Sequence, residues 1–437
     1  MIGLLASPLR SNPAQTTEEL IANLRSPIVK TRVEAARKLG ERRQREAAGP
    51  LAELIRKEAS PEVKKEAVRS LGLIKVEDAI PAMLTALIDA DKEVRQAAIL
   101  GVVSLYIETN IDFITARRRG WNLFNPFLET YEATVVEPYT EVDARIIEGL
   151  VRVAKTDSDK DVRIAAVKAL GVLRATSAIP QLGVLFAASD FLRVDILRTF
   201  IKLGDPSAGK YIIPFLGDDE SDVRKQALTT IGILGVKEAV PKLIEVYNRP
   251  KDDETAKLAL EALALIADPT AEEIFLQNLN HRLPDRRRFG NEGVARLAAK
   301  KHLERISRER IQEKDRSVQL AQAFALYKLG RAEFAEAVFQ ELESARKDQA
   351  YAYLLEIEPE DLFPFLHRGG LEARKRVIEA LGHIGDQETI QQLKPLLTAS
   401  DPTLVNAANL AIQRIERREK SGPKTRPRRV GKPGKKV

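Results

Sequence analysis

Residues 159–173 read DKDVRIAAVKALGVL. An acidic turn leads into Val162 and Arg163, Ala166 follows four residues after Val162, Leu170 four later, and then Gly171. Positions zero, four and eight share one face of a helix, whereas a strand would alternate. The pattern returns as SPEVKKEAVRSLGLI (60–74), DKEVRQAAILGVV (91–103), ESDVRKQALTTIGILG (220–235) and EARKRVIEALGHIG (372–385). Its anchor position falls at Thr31, Val63, Val94, Val162, Leu192, Val223, Thr255, Ala373 and Leu404. The intervals are 32, 31, 68, 30, 31, 32, 118 and 31 residues, and 118 is close to four periods of about 29.5. Small residues four after the anchor, such as Ala67, Ala166 and Ala227, let a neighbouring helix approach closely. Gly40, Gly72, Gly171, Gly232 and Gly382 follow, where the spacing predicts left-handed helix caps.

A second helix fills each period, as in VEDAIPAMLTALI, ATSAIPQLGVLF and VKEAVPKLIEVY. Pro81, Pro180 and Pro241 hold one place in the repeat and suit a first helical turn, where the missing N–H costs little. One such pair cannot bury its apolar face alone, but stacked pairs share a continuous core.

The acidic turn, V-R, Ala, Leu-Gly pattern resembles the HEAT repeat, in the short form of phycobilisome-lyase-like (E-Z type) proteins, over roughly residues 17–415. The resemblance implies an all-α, right-handed solenoid of about ten to eleven HEAT-like helix pairs. It says little about function, since such proteins include scaffolds, chromophore lyases, a hydroxylase and DNA-repair enzymes. Residues 320–342, LAQAFALYKLGRAEFAEAVFQEL, look closer to a tetratricopeptide helix pair.

The chain has 437 residues, 44% hydrophobic and 30% charged, which is ample for a core. Cysteine is absent, which excludes a disulfide framework, thiolate metal sites and a catalytic thiol. No apolar run approaches the ~18–20 residues that span a bilayer. The start, MIGLLASPLRSN, lacks a charged leader segment, so the expected location is cytoplasmic. Net charge is +7, and residues 421–437 alone carry seven basic residues and no acid, leaving residues 1–420 neutral. That tail, with Lys424, Arg426, Arg428, Arg429, Lys432, Lys435 and Lys436, is expected to be disordered. It reads either as an electrostatic arm for nucleic acid, anionic lipid or an acidic protein, or as a solubilising tail.

Chemical motifs are broken. GDPSAGKY (204–211) nearly matches a phosphate loop, but Tyr211 stands where the magnesium-binding hydroxyl belongs and no strand precedes it. Asp157, Asp159 and Asp161 resemble the start of a calcium loop, but Val162 and Lys168 occupy its glycine and glutamate places, so a repeated helix cap is expected. None of His281, His302, His367 and His383 precedes a Glu, so the paired ligands of the HEAT-fold deoxyhypusine hydroxylases are missing. No catalytic residue, metal or cofactor is implied.

Two features suit partner binding. The interval of 68 hides an insertion of about 37 residues, holding seven of the 23 aromatics between Tyr106 and Tyr139. Its candidates are Arg117, Arg118, Arg119, Trp121, Phe124, Phe127 and Tyr131, residue types that dominate interface energies. The same aromatics read equally as a private mini-core. The second feature is a column six residues after each anchor, opposite the core face: Arg37, Arg69, Leu100, Lys168, Arg198, Thr229, Glu261. In HEAT folds this face is concave. The basic part, Arg37, Arg69, Lys168 and Arg198, suits an acidic partner or is an ordinary solvated face. The arginine directly after the anchor (Arg95, Arg163, Arg193, Arg224) is expected to form a structural ladder between repeats. HRLPDRRRFG (281–290) reads as an irregular joint or a further contact patch.

The expected organisation is a flexible N-terminus (1–16), N-terminal repeats (17–103), the aromatic and basic insertion (104–141), central repeats (142–280), irregular helical repeats (281–369), C-terminal repeats (370–415) and a basic tail (416–437). The expected function is a non-catalytic protein-binding scaffold using the concave face and the insertion. The alternatives are nucleic-acid binding through the tail and basic column, and a phycobilin-lyase-like or chaperone-like protein acting on a bound cofactor.

Overall fold

A computed structural model describes residues 15–107, 135–136 and 140–420. All regular structure among these residues is helical, in two compact units, one of Met1–Arg119 with Val142–Leu173, the other of Gly120–Glu141 with Arg174–Val437. The first unit holds four helix pairs: α1 (Thr17–Asn23) with α2 (Val29–Glu41), α3 (Ala48–Lys57) with α4 (Pro61–Ile74), α5 (Ile80–Ala86) with α6 (Lys92–Ser104), and α7 (Ala144–Thr156) with α8 (Lys160–Val172). The second holds eight: α9 (Ile179–Ala188) with α10 (Arg193–Leu203), α11 (Gly209–Ile212) with α12 (Ser221–Leu234), α13 (Val240–Asn248) with α14 (Asp253–Ile266), and α15 (Glu272–Asn278) with α16 (Pro284–Leu297). They continue as α17 (Leu303–Gln312) with α18 (Arg316–Lys328), α19 (Ala335–Gln340) with α20 (Lys347–Leu354), α21 (Pro359–Leu362) with α22 (Leu371–Ile384), and α23 (Gln387–Leu393) with α24 (Pro402–Lys420).

The anchor columns form the core. Val63, Ala67 and Leu71 are fully buried, as are Val162, Ala166 and Leu170, and Val223, Ala227 and Ile231. Burying each such Val, Leu or Ile contributes about 1.5–3 kcal/mol before chain entropy is counted. The acidic turns cap the second helices: Asp91 accepts from the backbone N–H of Glu93 and Val94, and Asp159 from those of Asp161 and Val162. Pro81, Pro180 and Pro241 lie in the first turns of α5, α9 and α13, each after a short 3-10 turn. The near phosphate loop is a plain link, with Gly204 as the left-handed cap of α10 and a 3-10 turn over Pro206–Ala208.

The repeat glycines differ from expectation. Gly40, Gly72, Gly171, Gly232 and Gly382 lie inside α2, α4, α8, α12 and α22, one or more residues short of the caps. Where their packing is close, they are contact points: a Cβ on Gly232 would stand 2.8 Å from the Ala262 Cα, and one on Gly72 3.1 Å from the Gly101 carbonyl oxygen. Successive second helices touch backbone to backbone there, and no side chain fits between them.

The long intervals resolve differently. Across the 68-residue interval, α6 packs directly on α8 and α5 on α7, so the extra residues are inserted between adjacent pairs and replace no repeat. Across the 118-residue interval, α14, α16, α18, α20 and α22 begin at steps of 31, 32, 31 and 24 residues. The last step is short, but the interval still holds four steps, and the described residues form twelve pairs against the ten to eleven expected. HRLPDRRRFG is no joint, since from Pro284 it is the first half of α16. Its Gly290 lets α16 meet α15, a Cβ there standing 2.9 Å from the Phe275 carbonyl oxygen.

Candidate functional site

The arginine after the anchor builds the expected ladder at Arg95 and Arg224 and likewise at Arg32 and Arg287, whereas Arg193 pairs with Asp190 of its own link at 2.8 Å and Arg163 donates to the Ala154 carbonyl at 2.8 Å. Arg32 pairs with Glu58 at 2.7 Å, Arg95 with Asp157 at 2.7 Å, Arg224 with Asp252 at 2.9 Å and Arg287 with Glu313 at 2.8 Å. Each links one second helix to the turn before the next. Asp157 therefore serves this ladder and the cap of α8, accepting also from the Asp159 N–H at 2.9 Å. Backbone and hydroxyl donation from Thr255, with Arg224, holds the Asp252 carboxyl down at about 2.

The basic column is charge-compensated in the first unit. Arg37 pairs with Glu34 at 2.7 Å and Glu41 at 3.2 Å, and Arg69 lies 3.7 Å from Glu66. Burial pushes the Glu66 carboxyl up, with Arg69 and Arg37 acting against it. Lys168 and Arg198 are half-buried on α8 and α10, and neither is free. The insertion candidates Arg117, Arg118, Arg119, Trp121, Phe124, Phe127 and Tyr131 lie outside the described residues, as do the tail residues Lys424, Arg426, Arg428, Arg429, Lys432, Lys435 and Lys436.

The same column leads to a site further along. In the second unit its members Thr229 and Glu261, with Glu292 one period on, line a cavity of about 220 Å³. Apolar walls come from Leu228 and Ile233 of α12 and from Leu258 and Leu265 of α14. Arg288, Glu292 and Arg296 enter from α16, and Asp348, Gln349 and Tyr353 from α20.

The intervening helix α18 contributes nothing to this wall because α20 lies across it. Residues 320–327 of α18 are buried without interruption, the mark of a helix covered on every side. Ala321, Ala323 and Ala325 keep it slim enough to be covered. Tyr353 of α20 stacks on Phe324 of α18, with ring centroids 4.3 Å apart and planes at 9°. It then reaches past α18, donating its hydroxyl hydrogen bond to Glu292 Oε1 at 2.6 Å. Helix α20 has only 8 residues, about 12 Å.

A buried charge network results. Arg296, only 6% exposed, donates to Glu356 at 2.9 Å, to Glu292 Oε2 at 3.2 Å and to the Ala264 carbonyl at 3.2 Å. Burial opposes its charge, yet Glu356 and Glu292 hold it protonated more firmly than usual. Gln349 donates to the Tyr353 oxygen at 2.8 Å and to the Ser317 carbonyl at 2.9 Å. Burial and the Glu292 charge together push the Tyr353 hydroxyl well up.

Two members of the cavity stand outside this network. The Glu261 carboxylate makes no hydrogen bond or ion pair with the described residues, and burial, reinforced by Glu292 against Arg288, pushes it up to about 7. The Arg288 guanidinium rests 4.3 Å over the Phe289 ring, and its buried Nε meets no acceptor.

The chain's own matches agree with the repeat geometry. Residues 17–102 and 187–264 match HEAT repeats, and residues 373–398 match the PBS lyase HEAT-like repeat. This is a HEAT-repeat protein. No curated protein matches the chain. Among solved structures, an engineered protein is similar at 19% identity over 92% of this chain and 98% of that one, with a TM-score of 0.36. The CpcE–CpcF complex of phycocyanin lyase from Nostoc sp. PCC7120 is similar at 22% identity over 60% of this chain and 92% of that one, with a TM-score of 0.29. Importin beta is similar at 13% identity over 91% of this chain and 64% of that one, with a TM-score of 0.47. These figures say nothing about activity.

In this HEAT-repeat protein the column six after the anchor points to Glu261 and, one period on, to Glu292. Arg288 and Arg296 lie four residues before and after Glu292, on the same helix face. That signal is masked in the sequence by Pro284 and Gly290, which read as a break. Tyr353 and Glu356 carry no signal of this kind, because their partners lie 61 and 60 residues away in the chain.

Proposed function

We propose that this HEAT-repeat protein is a non-catalytic scaffold that binds another protein along the face of its second helices opposite the core, with the 104–141 insertion as a second contact. The cavity among α12, α14, α16 and α20 is its anchoring point. The observation that carries this reading is the unmatched pair Glu261 and Arg288, set in an open cavity on that face, while the charges around them are paired. Both side chains are half-buried and the Arg288 Nε is buried outright, and charge kept from water without a partner is costly, so the site is suited to a ligand that completes it. The absence of any intact catalytic motif in the sequence agrees with binding rather than turnover.

The test is affinity capture from source-cell lysate with the full chain, followed by binding of the identified protein in purified form. Two variants run beside it: Ala352→Arg, which fills the cavity, and Trp121→Ala with Phe124→Ala and Phe127→Ala. The expected result is loss of the purified partner in Ala352→Arg with an unchanged melting temperature. Equal binding by Ala352→Arg and the parent chain overturns the reading of the cavity as anchor.

A further inference from the structure

The two unmatched groups of the cavity are not equivalent. A half-buried carboxyl can escape the cost of lost hydration by keeping its proton, and Glu261 does so up to about 7. An arginine has no such escape, because its guanidinium stays charged at every pH a protein tolerates. The standing demand of the cavity is therefore for an acceptor of negative charge. Glu292 favours the Arg288 charge from a distance, but no acid hydrogen-bonds the guanidinium: Glu292 is taken by Arg296 and Tyr353, and Asp348 faces Arg376 at 4.0 Å.

We infer that the cavity is a carboxylate site, which takes an aspartate or glutamate side chain of a partner protein, with Arg288 as charged donor and Glu261 as the second hydrogen-bonding group. Size and lining support this choice. A volume of about 220 Å³ is below what drug-sized ligands occupy and suits one side chain. Leu228, Leu258 and Leu265 give an aliphatic stem an apolar wall, which a bare phosphate or sulfate would leave unused. A carboxylate can accept two parallel bonds from a guanidinium and a third from a protonated carboxyl.

The charge inventory gives the pH dependence its sign. Facing Glu261 are Lys257 on its own helix, Arg288, Glu292 and Arg296 on α16, and Asp348 and Tyr353 on α20, while α12 contributes no ionisable group to the cavity. The incoming carboxylate needs Glu261 protonated. Affinity therefore holds below pH 7 and falls by about tenfold between pH 6 and pH 8, as the proton leaves.

This source of the carboxylate rests on the scaffold reading, so the test separates the two. The full chain is titrated at constant ionic strength with propionate and with the blocked tripeptides acetyl-Ala-Glu-Ala-amide, its Gln analogue and its Lys analogue. Binding is read from the Arg288 Nε–H resonance, assigned by its loss in Arg288→Met. The expected result is saturable shifts with propionate and with the Glu tripeptide only, about tenfold or more weaker in Arg288→Lys, and independent of pH in Glu261→Gln. Glu261→Gln is isosteric, so it reports even where Arg288→Met folds poorly. Saturation by the Lys tripeptide, or no carboxylate binding at about 50 mM ligand, overturns the inference. The scaffold reading survives either result if Ala352→Arg still loses its partner. Binding of propionate without the Glu tripeptide keeps the carboxylate chemistry and removes the partner side chain as its source.

Discussion

Arg296 is the residue on which the second unit's charge network turns. It is 6% exposed and holds two carboxylates, Glu292 and Glu356, while its guanidinium lies 5.6 Å from the Phe324 ring centroid. Burying an ion pair adds little net stability, but removing one member strands the other. Arg296→Met should therefore cost about 3 kcal/mol, seen as a lower urea midpoint by circular dichroism. Adding Glu292→Gln should recover part of that loss, because the stranded charge is then gone. A double variant no more stable than Arg296→Met would mean that packing of the arginine, not its charge, carries the effect. Of this cluster the sequence reveals Glu261, Glu292, Arg288 and Arg296 through helical spacing. It conceals Tyr353 and Glu356, since a partner 60 or 61 residues away leaves no local period.

At the scale of the element, the second helices are shaped by what their neighbours permit. Gly232 and Gly72 allow backbone contact between successive helices, whereas Gly49 in α3 has nothing within 4 Å of where its Cβ would lie. The two kinds of glycine should respond differently to alanine. Gly49→Ala gains helix propensity but sets a Cβ against Pro50, which disfavours helical backbone in the residue before it, and should be neutral to within about 0.5 kcal/mol. Gly232→Ala gains the same propensity but must push α12 from Ala262, and should cost about 1–3 kcal/mol on balance. Melting temperatures of the two variants check this, and a rise in Gly232→Ala would show that the helices part freely. The glycine positions were legible in the repeat, yet their role was not. A cap and a close contact use the same residue for different reasons, and only the neighbouring helix distinguishes them. Helix α20 makes the same point, because its 8 residues look unremarkable until its path across α18 is seen.

At the scale of the whole molecule, each unit is a linear stack in which a pair is stabilised by its nearest neighbours. The direct packing of α6 on α8, with Arg95 on Asp157 and the Tyr106 hydroxyl accepting from the Asp143 N–H at 3.1 Å, closes the first unit across the insertion. Residues 108–134 can be replaced by a Gly and Ser linker, which keeps the buried Val136 in place. The melting temperature of the first unit should then change by no more than about 3 °C, equivalent to under about 1 kcal/mol. A collapse of stability would show that the insertion props up the stack. Helix faces and caps follow from residues within one repeat, and the period and the arginine ladder from the recurrence of the same residues in successive repeats, because they depend on a pattern that the sequence repeats. The function of the glycines and the cavity depended on how close neighbouring helices come and on where α20 lies over α18. Those are properties of how one repeat lies on others up to two periods away, where the same local spacing is compatible with more than one path.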